Sequence, residues 1–569
     1  MALRACAAPW RPLVDPRKDA SPRRWRRRRR LREDRLSDLS DDLLLEILRR
    51  VDTHTALGAA ALSRRWASLP RELPAMDLKV TDILPPRYHR LYLLRDDARE
   101  SKISSTLLDR RRLNAITGRY ERRAMRAMIC SVKRLLASRA HRRVERLSLE
   151  VFAYSTSPCI NRLVVDAVDS WGVRDLEVVA TPTGPLAFPD PPPYSFPCGL
   201  ISRKPAGQSR LRSLRLANCL PPPLRGFTAL TTLVLRDLPS TTPAATYEGV
   251  VAACPQLQVL HLVSCEFTST TRRLVLDSPM SEIRELLLDG ELMVVELRSL
   301  PKLESLTSLH ADVILCSTAA APCLARVSLA FSVGPLEGNS FAALNRRHQD
   351  CLIRMLLDFF QGAISVKDLV LRFTGPDMWI LPKNPFSAMS NLRRLLVADV
   401  PSSWDISWPH LLIQAAPLLE SLYVHASHGQ DETSQEVLGE ASSSSRHHHL
   451  KELVVIGFQR TERQMHLVRF AVEISTALKC VSLLKHGHVV DNGPCCDWEV
   501  VSYVRIFELV VKKEEMYAEP AERKDSSDSL VNYERREIMS KQASLAGCKR
   551  GEEEDGGRDA STATMSSFL

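Results

Sequence analysis

The sequence predicts an α/β protein: a three-helix unit near the amino terminus, then a long stack of parallel strands on a concave face with helices on the convex face, closed by a small strand–helix cap. Three observations predict it. Apolar residues recur at helical spacing between Asp34 and Leu69, one six-residue phrase returns many times between Val144 and Val455, and a strand-plus-helix pattern begins at Leu450. At 569 residues and 44% hydrophobic content, the chain has the material for several cores.

In the first stretch, DRLSDLSDDLLLEILRRVDTHTALGAAALSRRWASL, Ser40 is placed to cap a helix. Asp41 and Asp42 then fill its first turn, where negative charge meets free amides and the positive end of the helix dipole. Leu43, Leu44, Ile47, Leu48 and Val51 follow as one apolar stripe. Thr53 or Thr55 is expected to open a second helix reaching Leu62, and Ser63-Arg64-Arg65-Trp66 a third that Pro70 stops. A unit this small cannot hide Leu36, Leu39, Leu57, Leu62 and Trp66 as well, so part of its apolar surface is expected to face another protein. If about eight such side chains were covered, the gross gain would be on the order of 12–24 kcal/mol before association entropy.

These residues carry a resemblance. Leu36, Leu39, Asp42, Leu43, Ile47, Leu48, Leu62, Ser63, Arg64, Arg65 and Trp66 are similar to the F-box, in the plant form that is followed by leucine-rich repeats. Two positions depart from it, Ser40 where proline is usual and Pro70 where many relatives have tryptophan. The resemblance implies binding to a Skp-type adaptor, and through it to a cullin–RING ubiquitin ligase. The implied adaptor contacts are Leu36, Leu39, Leu43, Ile47, Leu48, Leu62, Ser63, Arg65 and Trp66.

Charge is uneven along the chain. Of the net +11, most lies in residues 1–33, chiefly in RRWRRRRR from Arg23 to Arg30. That segment is expected to be a disordered arm, as readily an inert solvated one as a functional one. The functional readings are a nuclear-import address, an organelle transit segment or a nucleic-acid contact, and nucleic acid is not an expected partner under the leading reading. No apolar run is long enough for a membrane span or a secretory signal, so a protein of the nucleus, the cytoplasm or both is expected. Fourteen cysteines without a CxxC pair give neither a zinc-site spacing nor a disulfide framework, and reduced core thiols are expected. Residues 34–72 form the three-helix unit and 73–142 a helical linker, in which Met125, Met128, Ile129, Val132, Leu135 and Leu136 share a face opposite many arginines.

From 143 to 449 the phrase with apolar residues at positions 1, 4 and 6 recurs, as in Val144-Leu147-Leu149, Leu211-Leu214-Leu216 and Leu392-Leu395-Val397, with Leu303-Leu306 a weaker copy. Its spacing of roughly 20 to 30 residues is that of a leucine-rich repeat. Two copies end in cysteine, Cys219 and Cys265, at the turn where such repeats keep Asn or Cys. One short strand cannot bury itself, so stacking is compulsory. Helical spacing between phrases, as at Ile160–Trp171 and Asp350–Phe360, puts helices on the second layer. The Pro189–Pro197 gap and the segment Gly429–His449 read as inserted loops. The residues between the leucines point away from the core, making Arg215, His261, Arg394 and Tyr423, with Val234, the candidate contacts for a target protein.

Residues 450–511 give a strand, a turn at Gly457, then an amphipathic helix through Met465, Leu467, Val468, Phe470, Ala471 and Leu478. Leu450, Val454, Gly457, Phe458, Leu467, Val468, Ala477 and Leu478 resemble the FBD module of plant F-box proteins; the departures are Arg460 for a usual glycine and Gln464 for a usual acid. Residues 512–569 are expected to be a disordered tail. No P-loop, HExxH, GxSxG, dinucleotide-binding glycine pattern or EF-hand loop occurs. His447-His448-His449 reads as loop composition more readily than as a metal tract. The expectation is a non-catalytic substrate receptor with no cofactor or metal and no membrane partner. Its alternative is a repeat scaffold outside any ligase that contacts nucleic acid through the arginine arm.

Overall fold

A computed structural model describes residues 39–100, 107–137, 144–152, 158–181, 194–197, 210–221, 224, 227–238, 242–265, 267, 273–290, 294–332, 358–374, 389–400, 408–426, 446–491 and 498–510. The arginine arm, Leu36, most of the Gly429–His449 loop and the tail 512–569 lie outside the described residues. The elements below belong to the unit Met1–Leu509, apart from the last residue of the final strand.

Fifteen strands make one sheet whose neighbours follow the order of the chain. It begins with β1 (Ala75–Lys79), β2 (Arg146–Phe152) and β3 (Asp175–Thr181), and ends with Cys480–Asp491 and Trp498–Val510. Every pairing in this sheet with a described register is parallel, which the repeat requires, because each strand arrives in the same direction after a return through the second layer. The fourth position of each phrase forms a continuous ladder, with Leu147, Leu176, Leu214, Leu233 and Leu260 in register. Of these, none is more than 1% exposed, so the leucines are core as the alternation predicts. Leu306, from the weaker copy, is fully buried in the ladder, and its strand Ser305–Leu309 is as regular as its neighbours.

Four expectations need correcting. Strand β1 lies inside the segment expected to be a helical linker: Leu73, Met76 and Leu78 spell the same phrase, and Met76 pairs with Leu147. The second layer is not helical throughout. Helices occupy it at Pro158–Asp169, Ala244–Ala253 and Trp408–Ala415, but Arg273–Asp277, Val294–Ser299 and Asp312–Leu315 form a separate parallel three-stranded sheet. There Leu274, Leu276, Val295, Leu297 and Val313 are buried, so alternating apolar residues supply the layer that a helical stripe supplies elsewhere. Within the proline-rich gap, Tyr194–Ser195 pairs with Cys219–Leu220 and Phe196 is 1% exposed, so this part is built into the core. Thiols divide: Cys219, Cys254 and Cys265 are buried, whereas Cys130, Cys159, Cys316 and Cys323 are exposed.

At the far end, Glu452–Ile456 leads through Gly457 into the helix Glu462–Ile474, which stops before Leu478. Gly457 has φ +74°, and a Cβ there would sit 2.4 Å from the Ala426 carbonyl oxygen, so only glycine fits. Arg460 also takes a left-handed φ of 60°, the conformation for which glycine would be the easier residue. Gln464 uses both ends of its amide in this corner, one of which an ionised acid could not replace. Its Oε1 accepts from the Gln459 N–H at 2.7 Å and its Nε2 donates to the Gly457 carbonyl, while Thr461 caps the helix by accepting from the Gln464 N–H.

Candidate protein-docking site

The amino-terminal unit is built from two α-helices and a turn-rich third segment. Helix α1 (Asp41–Arg49) starts at Ser40, whose Oγ accepts from the Leu43 N–H at 3.4 Å. Helix α2 (Thr53–Ala59) is capped by Asp52, which neither threonine expectation anticipated: its carboxylate accepts from the Thr55 N–H at 2.8 Å and the Thr55 hydroxyl at 2.6 Å. Those two bonds hold the Asp52 carboxyl below its usual range. The helix ends at Ala59, short of Leu62. The third segment is not an α-helix but turns followed by a 3₁₀ helix, Leu69–Glu72. Pro70 ends the turns: it has no N–H to give to the carbonyl of Trp66, and it sits at the start of the 3₁₀ helix, where none is needed.

The apolar stripe of α1 divides into two faces. Leu44, Leu45 and Leu48 turn inward and pack with Ala56, Leu69 and Leu73, flanked by the half-buried Leu39, Ala59 and Trp66. Leu43, Ile47 and Val51, at i, i+4 and i+8, turn outward and are 54%, 39% and 38% exposed; Leu62 is 70% exposed. Leu48, at 3% exposed, is therefore a core residue and not a contact, which corrects the expectation for it. Arg65 is spent internally: its Nε donates to Asp41 Oδ1 at 2.6 Å and its Nη2 to the Leu39 carbonyl, tying the third segment to the start of α1. Ser63 is exposed, and its Oγ accepts from the Trp66 N–H at 3.3 Å. Val51 was legible four residues after Ile47 but was not among the expected contacts.

The unit is joined to the sheet. Thr53 Oγ1 accepts from the Asp77 N–H of β1 at 2.9 Å, and a cleft of about 390 Å³ runs between them, with Leu48, Val51, Leu73 and Met76 among its lining residues. Of the charged residues lining this cleft, Arg49 pairs with Glu46, Asp77 with Lys79 and Arg146 with Glu177, while the Asp52 carboxylate is hydrogen-bonded to Thr55.

Along the sheet, the residues between the leucines also align, with Glu177, Arg215, Val234 and His261 in register. Arg215 is exposed. His261 Nε2 lies 2.7 Å from Glu285 Oε1, and Arg394 lies 3.9 Å from Asp368. Val234 is only 9% exposed. Tyr423 is half-buried between two apolar clusters, Val370, Leu396 and Ala398 on one side and Val454, Ile456 and Leu484 on the other. Its hydroxyl donates to Glu452 at 2.8 Å, and burial together with that carboxylate pushes its phenol pKa up. Tyr423 is thus a packing residue, contrary to expectation.

His447 is a structural group. Its Nε2 donates to the Ala416 carbonyl at 3.0 Å, its Nδ1 accepts from the Leu450 N–H at 3.1 Å, and burial lowers its pKa. Among the described residues no three potential metal ligands cluster, and no helix is long and apolar enough to cross a membrane.

Residues 36–74 match the F-box domain family. Two proteins of Arabidopsis thaliana, both named as F-box/FBD/LRR-repeat proteins, are similar in part. One is 37% identical over 62 residues, 11% of this chain and 14% of the relative. The other is 47% identical over 45 residues, 8% of this chain and 10% of the relative.

Proposed function

We propose that this chain, which carries an F-box domain at residues 36–74, is the substrate-recognition subunit of a Skp–cullin–F-box ubiquitin ligase. The observation that carries the reading is the outward stripe Leu43, Ile47 and Val51 with Leu62, apolar side chains left bare on a unit whose inner face is already packed. Together their exposure amounts to about two whole aliphatic side chains, so covering them would contribute on the order of 3–6 kcal/mol. That is less than the eight-residue expectation. Leu39, Leu62, Ser63 and Trp66 remain proposed adaptor contacts at the margin of this stripe.

Behind the domain, the phrase ladder and the parallel sheet support reading residues 143–449 as leucine-rich repeats and 450–511 as an FBD-like cap. Arg215, His261 and Arg394 are the proposed target surface. Ubiquitin transfer would belong to other subunits, with this chain contributing proximity. Its proposed location is the nucleus, the cytoplasm or both.

The test is co-purification of the full chain with a Skp-type adaptor, comparing wild type with the double variant Leu43→Asp, Ile47→Asp. Loss of adaptor in the variant is expected. Equal recovery of adaptor would overturn the proposal.

A further inference from the structure

Between β1 and β2 the chain makes a helical hairpin, α3 (Pro86–Glu100) and α4 (Leu107–Ala137). Its inward face is closed. Ala124, Met125, Met128, Ile129 and Val132 are each at most 9% exposed, and the Tyr88 hydroxyl donates to Glu121 at 2.8 Å. The outward face of α4 carries Arg112, Arg119, Arg126 and Lys133, all exposed and seven residues apart, with Arg122 and Arg123 beside them. Seven residues advance a helix by about 10.5 Å, so these cations form a stripe roughly 32 Å long. On α3, Arg87 and Arg90 are also exposed. Glu121, on the inward face, is buried; the other carboxylates in the sequence of the two helices are Asp96, Asp97 and Glu100 in the last turns of α3 and Asp109 in the first turn of α4, and none of these eight cations has an ion pair with a described residue.

Apolar side chains share these faces. Ile116, 39% exposed, lies four residues from Arg112 and three from Arg119; Leu93 and Leu94, 61% and 57% exposed, lie three and four residues beyond Arg90. Like charges three and four apart on a helix repel, and exposed leucines cost solvation, so the hairpin carries two unfavourable features that one ligand could relieve. A phosphate backbone would satisfy the arginines and leave the leucines in water. A helix with carboxylates and leucines at heptad spacing would satisfy both, because its own charges also repeat every 10.5 Å or so.

We infer that the α3–α4 hairpin is a second docking surface, for an acidic amphipathic helix of another protein. It is separate from the outward stripe of the F-box domain, so its test does not depend on the adaptor. Anisotropy of labelled probes against the full chain reads it out, using a peptide with Leu at the core heptad positions and Glu at the flanking ones, the same peptide with Gln for Glu, and a short DNA duplex.

The Glu peptide is expected to bind and the Gln peptide to bind roughly tenfold more weakly or worse. Arg119→Glu with Arg123→Glu should weaken the Glu peptide by about tenfold or more, and the gentler Arg119→Gln with Arg123→Gln by about threefold. Leu93→Ser with Leu94→Ser should also weaken it by about threefold. Equal binding of the Glu and Gln peptides, or indifference to the gentler arginine pair, would overturn the inference. So would tighter binding of DNA that ignores the leucine pair, which would make the hairpin a nucleic-acid surface.

Discussion

Two leucines five residues apart on α1, and so on different faces of it, should behave as different kinds of residue, and the comparison tests how the domain is built. Leu48 is 3% exposed and packs against Leu44, Leu45, Ala56, Leu69 and Leu73, whereas Leu43 is 54% exposed. Replacing Leu48 with alanine removes buried methyl groups and leaves a cavity, at a cost of about 2–5 kcal/mol. In a unit of this size that is enough to open it locally. Leu43→Ala makes the same chemical change, with the same gain in helix propensity, yet should move stability by no more than about 0.5 kcal/mol. Its cost should appear in association instead, where half a leucine's burial is worth roughly 0.8–1.6 kcal/mol, or about a four- to fifteenfold weakening. Amide hydrogen exchange over residues 41–59 reads the first quantity and titration with a Skp-type adaptor the second. If Leu43→Ala accelerated exchange as much as Leu48→Ala does, the division of the helix into inner and outer faces would be refuted.

Three further outcomes follow from particular contacts. Gly457→Ala should destabilise the end of the sheet by at least about 2 kcal/mol, since a left-handed φ is added to a Cβ 2.4 Å from the Ala426 carbonyl; an unchanged denaturation midpoint would contradict it. Burial depresses the folded-state pKa of His447 below the ordinary 6.5, so the unfolded chain takes up this proton first. Its contribution is therefore complete above pH 6.5 and lost as pH falls below that value through the folded pKa, and thermal unfolding should show a shallower acid loss for His447→Gln than for wild type. Under native conditions maleimide should label Cys130, Cys159, Cys316 and Cys323, while Cys219, pushed up to about 12, and Cys254 and Cys265, pushed up to about 11, should react only after unfolding.

The stacking direction of the sheet was legible because one short phrase can be buried in only one way, and every quoted copy lands on a strand. What escaped has definite causes. Leu73-Met76-Leu78 is the same phrase, but it stands roughly seventy residues before the next copy, and the helical hairpin between them masked it. The strands of the small second sheet alternate apolar residues much as the main ones do, so sequence alone does not say to which layer each belongs. In RLLVADV, Leu396 and Ala398 are apolar on the face opposite the core residues Leu395 and Val397, the mark of a strand buried on both faces, and this is why Tyr423 beside them is packing rather than contact surface.

At the docking site the apolar positions of α1 were visible, but their division between inside and outside was not. A stripe of Leu43, Leu44, Ile47, Leu48 and Val51 is wider than either face alone, and only the packing of Leu69 and Leu73 decides which side is covered. Asp52 was hidden as a cap by the two threonines that follow it.

The central claim, that the outward stripe of the F-box domain is the surface a Skp-type adaptor covers, is tested most directly by side-chain oxidation footprinting of the full chain with and without adaptor. Oxidation at Leu43, Ile47 and Leu62 should fall on binding, while the already buried Leu44 and Leu48 stay low throughout. A complex that forms with oxidation at Leu43, Ile47 and Leu62 unchanged would contradict the account.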